Sequence, residues 1–166
     1  AIYAGFADHY MNAEDWADAM AAVIESGTAE TLDRYITAAP DAPILAHKTL
    51  IDDAFACDDV AAILNRLSEV DDEFARKTSA QLTHPSPLAM AASLAVIRAV
   101  RNSPSIETAL DWEYRVTSRS TKDGDFIEGI RAAIIDKDRN PQWRYPDING
   151  VPENALAAML APIDSP

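Results

Sequence analysis

The chain has 166 residues, 48% hydrophobic and 25% charged, enough for one globular domain, or somewhat more, with a sizeable core. No stretch is long and apolar enough for a transmembrane helix, so the expectation is a water-soluble protein without a membrane partner. With 14 Lys and Arg against 27 Asp and Glu, the net charge of −13 repels phosphate backbones and argues against nucleic acid as a partner.

The single cysteine, Cys57, has no partner for an internal disulfide and no CxxC neighbour, which suits a reducing compartment, a bacterial cytoplasm or an organelle matrix. Gly5, Gly27, Gly124, Gly129 and Gly150 do not match GxGxxG or GxxxxGK[ST], so no phosphate-cradling loop is expected. The chain opens on Ala1 with no Met, basic segment or apolar segment, which leads us to expect a processed chain or a fragment without a secretory signal.

Apolar residues recur with helical period almost throughout, and the fold class this predicts is all-α, with roughly seven to eight helices. Residues 1–5 read as a helix end, followed by a short extended piece over 6–11. Asn12 is placed to cap a helix with Glu14 and Asp15 in its first turn and Trp16, Met20, Val23 and Ile24 as its apolar stripe, stopped by Gly27. Thr28 starts a second short helix that turns Leu32, Tyr35 and Ile36 inward, and 40–43 breaks the chain between two prolines.

Helical patterns follow over 45–55, over 60–67 behind Asp58 and Asp59 with Ile63, Leu64 and Leu67 inward, and over 69–82 around Val70 and Phe74. His84-Pro85-Ser86-Pro87 is the clearest internal breaker, which makes 83–87 the candidate hinge. Leu88 to Arg101 is a hydrophobic helix containing Met90, Leu94 and Ile97, with Arg98 and Arg101 at its dipole's negative end. Ser103-Pro104 reads as N-cap and first residue of a helix through Trp112 and Tyr114. Asp125 and Glu128 have capping-box spacing ahead of Phe126, Ile130, Ala133 and Ile134, and Pro141 ends that segment. A Trp143, Tyr145 and Pro146 cluster precedes a last amphipathic pattern from Glu153 through Leu156 and Met159 to Leu160.

No catalytic constellation emerges from the residues. His9, His47 and His84 are far apart and belong to no HExxH or Cys/His set, so no metal site is expected. Ser86 beside His84 lacks the GxSxG turn of an exposed nucleophile and reads as a cap or turn residue. Asp136, Asp138 and Asn140 imitate the start of a calcium loop, but Pro141 stands where the loop needs glycine and Asp147 where it needs glutamate. The acidic runs Asp52-Asp53, Asp58-Asp59 and Asp71-Asp72-Glu73 read as solvated faces and helix starts. Glu113 with Arg115, and Glu128 with Arg131 at i, i+3, are candidate ion pairs, either fixing register in the interior or lying on the surface.

The segment from Asp125 to Asp138, DFIEGIRAAIIDKD, continued by Pro141 and Trp143, resembles the C-terminal signature of 3-hydroxyisobutyryl-CoA hydrolases. These form a branch of the enoyl-CoA hydratase/isomerase (crotonase) superfamily. Ser86-Pro87 opening an apolar helix, Glu113-Tyr114-Arg115 before a polar turn, and Ala4-Gly5-Phe6-Ala7-Asp8-His9-Tyr10 at the start extend the resemblance over nearly the whole chain.

The resemblance implies residues 1–11 as the tail end of a preceding α/β core and 12–166 as a helical C-terminal domain lacking that core. The parent would hydrolyse an acyl-CoA, releasing free acid and coenzyme A in valine breakdown, through an oxyanion hole and acidic groups that lie N-terminal to this chain. The chain alone is then inactive, and no catalytic residue, metal ligand or cofactor transfers to it. Its implied partners are acyl-CoA through the parent enzyme, its own core and like subunits, since such helices cover the acyl-CoA pocket and pack subunits. In the superfamily an aromatic and a lysine on the last conserved helix approach the coenzyme A nucleotide. Ala133 replaces the aromatic here, and Lys137 falls within about a residue of the lysine's register, so Lys137 is the implied contact. Glu128, Gly129 and Arg131 read primarily as packing residues, with glycine allowing close approach. A hydratase or isomerase parent and an autonomous helical interaction module are the alternatives.

Overall fold

The computed structural model describes residues 1–163; the last three residues of the expected 12–166 domain lie outside them. Among the described residues there are eight α-helices and no strand beyond an isolated bridge between Tyr10 and Thr37, so the all-α class holds. The chain divides into two compact units, Ala1–Lys48 and Thr49–Pro166.

The first unit starts with a turn in which the Ala4 and Phe6 amides donate to the Ala1 carbonyl, and Gly5 at φ +75° provides the left-handed residue that ends it. The chain then extends to Tyr10, whose carbonyl accepts from Thr37 N at 2.9 Å. A 3₁₀ turn over Ala13–Asp15 leads into α1, Trp16–Ser26, and Gly27 at φ +70° closes it by donating to Val23 O. Asn12 makes no backbone cap; its amide donates to the Asp15 carboxylate at 3.3 Å.

The inward face of α1 is also not the expected stripe. Ala19 and Ala22 are buried, whereas Trp16, Met20 and Ile24 are 62%, 41% and 78% exposed. Alanines let the 3₁₀ helix Ala29–Tyr35 approach closely, where the Tyr35 hydroxyl donates to Asp18 O. At the start of that 3₁₀ segment the Thr31 hydroxyl donates to Thr28 O at 2.5 Å, a local bond that competes with helical backbone pairing. A further 3₁₀ turn, Pro43–His47, ends the unit.

The second unit contains α2 (Lys48–Ala54, beginning at the boundary), α3 (Val60–Ser68), α4 (Glu73–Leu82), α5 (Pro87–Asn102), α6 (Ile106–Ser120), α7 (Phe126–Ile130) and α8 (Glu153–Leu160). Asp59, Asp72, Ser86 and Ser105 cap α3 to α6, each accepting from the amide three residues on at 2.8, 3.0, 3.2 and 3.0 Å. Two starts differ from expectation. Asp72 delays α4 to Glu73, and α6 starts at Ile106 because Ser103 N–H still completes α5 through the Ala99 and Val100 carbonyls.

Ala54, Ile63, Leu67 and Ala75 form the buried core, with Leu50, Val70, Leu82 and Leu94 packed against it. Helix α5 packs against α6 and α8. Three arginines fasten chain ends to this layer. Arg98 does not serve the end of its own helix: its guanidinium donates to the Cys57 and Asp58 carbonyls before α3. Arg115 donates to Leu160 O, and Arg119 to Met159 O and Ala161 O, supplying the carbonyls that α8 leaves unpaired at its end.

Leu67 is 1% exposed and Ile97 64%. Leu67→Ala should lower the unfolding free energy by about 2–5 kcal/mol, and Ile97→Ala should change it by no more than about 0.5 kcal/mol, both read from urea denaturation.

Candidate functional site

The segment that carries the family resemblance folds around two carboxylates. Asp125 precedes α7 but does not form the expected capping box. Its Oδ2 accepts from the buried Ser86 hydroxyl at 2.5 Å, and its Oδ1 from Arg144 N at 2.9 Å. Glu128 likewise turns away from the helix start. Its Oε1 accepts from Arg131 Nη2 at 2.7 Å and Gln142 N at 2.6 Å, and its Oε2 from Arg131 Nε at 2.9 Å. Local spacing suggests a cap, but long-range donors better satisfy both acids.

Arg131 is the hub. Besides Glu128, its Nη1 donates to Asp136 and Asp138, both at 2.7 Å, and its Nη2 to Asn140 O at 3.1 Å. The Glu128–Arg131 pair lies between the interior and surface readings: it is bidentate and half-buried, and it holds the segment returning over 136–142. Glu113 does not pair with Arg115, which bonds Asp111 and stacks on the Trp112 ring at 4.4 Å. The oxygens that imitate a calcium loop face Arg131 instead.

Helix α7 is short. After Ile130 the backbone widens into a π turn, Arg131–Ile135, with Asp136 N donating to Arg131 O at 2.8 Å. Lys137 lies beyond this turn and not on the last helix as the resemblance implied; it is exposed and left-handed at φ 57°. Ala133 is exposed within the π turn. The returning segment carries Trp143, whose indole N–H donates to His84 O at 2.9 Å, so the 83–87 breaker is tied to the segment after α7. His9 and His47 belong to the first unit and His84 to the second.

An apolar groove of about 380 Å³ runs along this assembly, walled by Leu88 and Ala89 of α5, Val116 of α6, Ile130, Ile134 and the Trp143 ring. Phe126 and Ile134, which also line it, are 53% and 64% exposed, and Ser86 and Asp125 are among its polar lining. A side chain at Gly129 would meet Trp143 at 3.6 Å, ordinary contact, so close approach does not require glycine there. It is required at Gly124, where a Cβ would lie 2.9 Å from Ser120 O in the turn between α6 and α7. The roles of Gly124, Gln142 and Arg144 are not legible in the local sequence, because they depend on partners 4 to 19 residues away.

Chemically this is a scaffold with an apolar wall. Ser86 is 6% exposed; its hydroxyl donates a hydrogen bond to Asp125 and accepts from Ala89 N, so it caps α5 and ties it to the start of α7. The Arg131 guanidinium, then the Gln142 amide, hold the Glu128 carboxyl down at about 2, so it is ionised and fully engaged near neutrality. Arg131 and the Asn140 amide lower Asp138 as well.

A sequence profile of the enoyl-CoA hydratase/isomerase family matches residues 1–160, and the chain belongs to that family. Among solved structures it superposes on an enoyl-CoA hydratase from Rhodobacter sphaeroides 2.4.1 with a TM-score of 0.87 and 42% identity, over 98% of this chain and 47% of that one. Among curated proteins it is 32% identical to a mitochondrial 3-hydroxyisobutyryl-CoA hydrolase of Xenopus tropicalis over 84% of this chain and 39% of that protein. It is 33% identical to small ribosomal subunit protein mS47 of Arabidopsis thaliana over 85% of this chain and 36% of that protein. The chain thus spans less than half the length of each of these relatives.

Glu128 has a folded value near 2, below its usual 4.5, so the stability it contributes is complete above pH 4.5 and is lost as pH falls towards 2. Glu128→Gln should therefore flatten the acid limb of a stability–pH curve between those values, measured by urea melts at stepped pH.

Proposed function

We propose that this chain is the helical C-terminal part of an acyl-CoA thioester hydrolase of the 3-hydroxyisobutyryl-CoA hydrolase kind. In this reading residues 1–11 close a preceding catalytic core, and 12–166 form the domain that covers the acyl-CoA pocket and packs against like subunits. The observation that carries it is the apolar groove beside α7, an open wall with Phe126 and Ile134 exposed along it, whose polar lining residues Ser86 and Asp125 are hydrogen-bonded to each other. A wall of that kind fits one side of an acyl pocket whose chemistry comes from elsewhere.

Hydrolysis of a thioester places negative charge on the carbonyl oxygen and needs preorganised donors for it, together with a base or nucleophile. The core supplies those groups, and this chain contributes enclosure and water exclusion. Lys137, exposed beyond the π turn, is the coenzyme A contact in this reading.

A second reading is an assembly role without catalysis. The 33% identity to a ribosomal subunit protein favours it, because it sets the same half of the family fold beside a protein named for an assembly. The two readings differ in thiol release from 3-hydroxyisobutyryl-CoA. The polypeptide containing this chain and its core should release thiol catalytically, and the 166-residue chain alone should release none above background. Catalysis by the chain alone overturns the proposal, and an inert whole polypeptide favours the assembly reading.

A further inference from the structure

Of the asparagines Asn12, Asn65, Asn102, Asn140 and Asn149, only Asn149 precedes a glycine. An asparagine loses its side-chain amide when the next backbone nitrogen attacks its Cγ, and a side chain on that next residue obstructs the approach; Gly150 has none. Asn140 stands before Pro141, whose nitrogen carries no proton to give up. Asn149 and Gly150 are both exposed, and packing favours the glycine, since a Cβ there would lie 3.2 Å from Pro146 Cδ.

The same turn restrains the reaction. Ile148–Gly150 is a 3₁₀ turn capped by Asp147, whose Oδ1 accepts from Asn149 N at 2.8 Å and from Gly150 N at 3.0 Å. Gly150 N also donates to Asp147 O at 3.1 Å. The nitrogen that would attack is thus committed to two acceptors of one residue, and a carboxylate accepting from its N–H opposes the loss of the proton that attack requires.

We propose that Asn149 is a site of spontaneous deamidation gated by Asp147: reaction proceeds from the opened turn, and the Asp147 side chain sets how often the turn opens. In the open turn Gly150 N gives its proton to solvent and bonds to Asn149 Cγ, the Cγ–Nδ2 bond breaks, and ammonia leaves a five-membered succinimide. Water then adds to one of the two ring carbonyls and opens the ring to aspartate or isoaspartate, so amide and water become carboxylate and ammonium without oxidant or reductant. The turn contacts α3 and α5 ahead of α8, and Asn149 lines a cavity of about 500 Å³ with Asp58, Arg98 and Glu153. Isoaspartate lengthens the main chain by one carbon between the two amides that Asp147 holds, so the modified turn does not recover both bonds.

The test is peptide mapping by mass spectrometry of the 166-residue chain during incubation in mildly alkaline buffer, which reads the mass gained when NH₂ becomes OH. Asp147→Ala should deamidate at Asn149 about fivefold faster than the unsubstituted chain, and Asp147→Asn, which keeps the capping oxygen, should stay within about twofold of it. The unsubstituted chain unfolded in urea should react faster at Asn149 than the folded chain, a comparison that needs no variant to fold. Equal rates folded and unfolded, or an Asp147→Ala rate equal to that of the unsubstituted chain, overturn the gating. No mass gain at Asn149 in the unfolded chain overturns the site.

Discussion

A shortage of interior governs this structure. Leu67 and Leu88 are the largest side chains that it withdraws completely from water, and much of the remaining core is alanine. Meanwhile Trp16, Ile24, Phe126, Ile134 and Ile135 remain largely exposed. Since burial of apolar surface is the main favourable contribution to folding, helices sharing so small a core need other means of fixing their positions. Here the means are arginines that reach backbone carbonyls: Arg98 before α3, and Arg115 and Arg119 at the end of α8. Each satisfies acceptors that a helix end or turn would leave without partners.

The same economy shapes the region around α7. Asp125 and Glu128 could have capped their own helix, yet they bind the returning segment at Arg144 and Gln142, and Arg131 gathers the acids that follow. The result keeps Trp143 against His84 O and leaves an apolar groove with its wall intact. Position, not reactivity, is what these polar groups provide. This accords with a family member spanning less than half of its relatives' length and presenting large apolar faces.

Local chemistry made much of the helical layout legible. Asp59 caps α3, Gly27 ends α1 and the prolines around Ser86 separate α4 from α5, because each effect acts within a few residues. What failed to show was non-local. The Trp16, Met20 and Ile24 stripe has the right period for a buried face, but period alone does not say which face a neighbour covers, and in this chain alanines take that place. Ser103-Pro104 has the composition of a helix start, but Ser103 N–H still completes α5, so α6 is capped by Ser105 instead. The Asp125–Glu128 spacing resembles a cap because their partners at 86, 142 and 144 are remote in sequence. Family resemblance in the Asp125–Asp138 segment pointed to the superfamily that the profile match establishes, although it placed Lys137 on a helix that ends before it.

The apolar groove and the exposed stripe on α1 fit the account proposed above, in which these helices are the C-terminal part of a longer polypeptide. The length of the native polypeptide tests it most directly, by intact mass spectrometry of the protein isolated with antibody to this chain. The account predicts a polypeptide more than twice as long, carrying these 166 residues at its C-terminal end. A native polypeptide that begins at Ala1 or immediately before it, with no other chain bound, would contradict it.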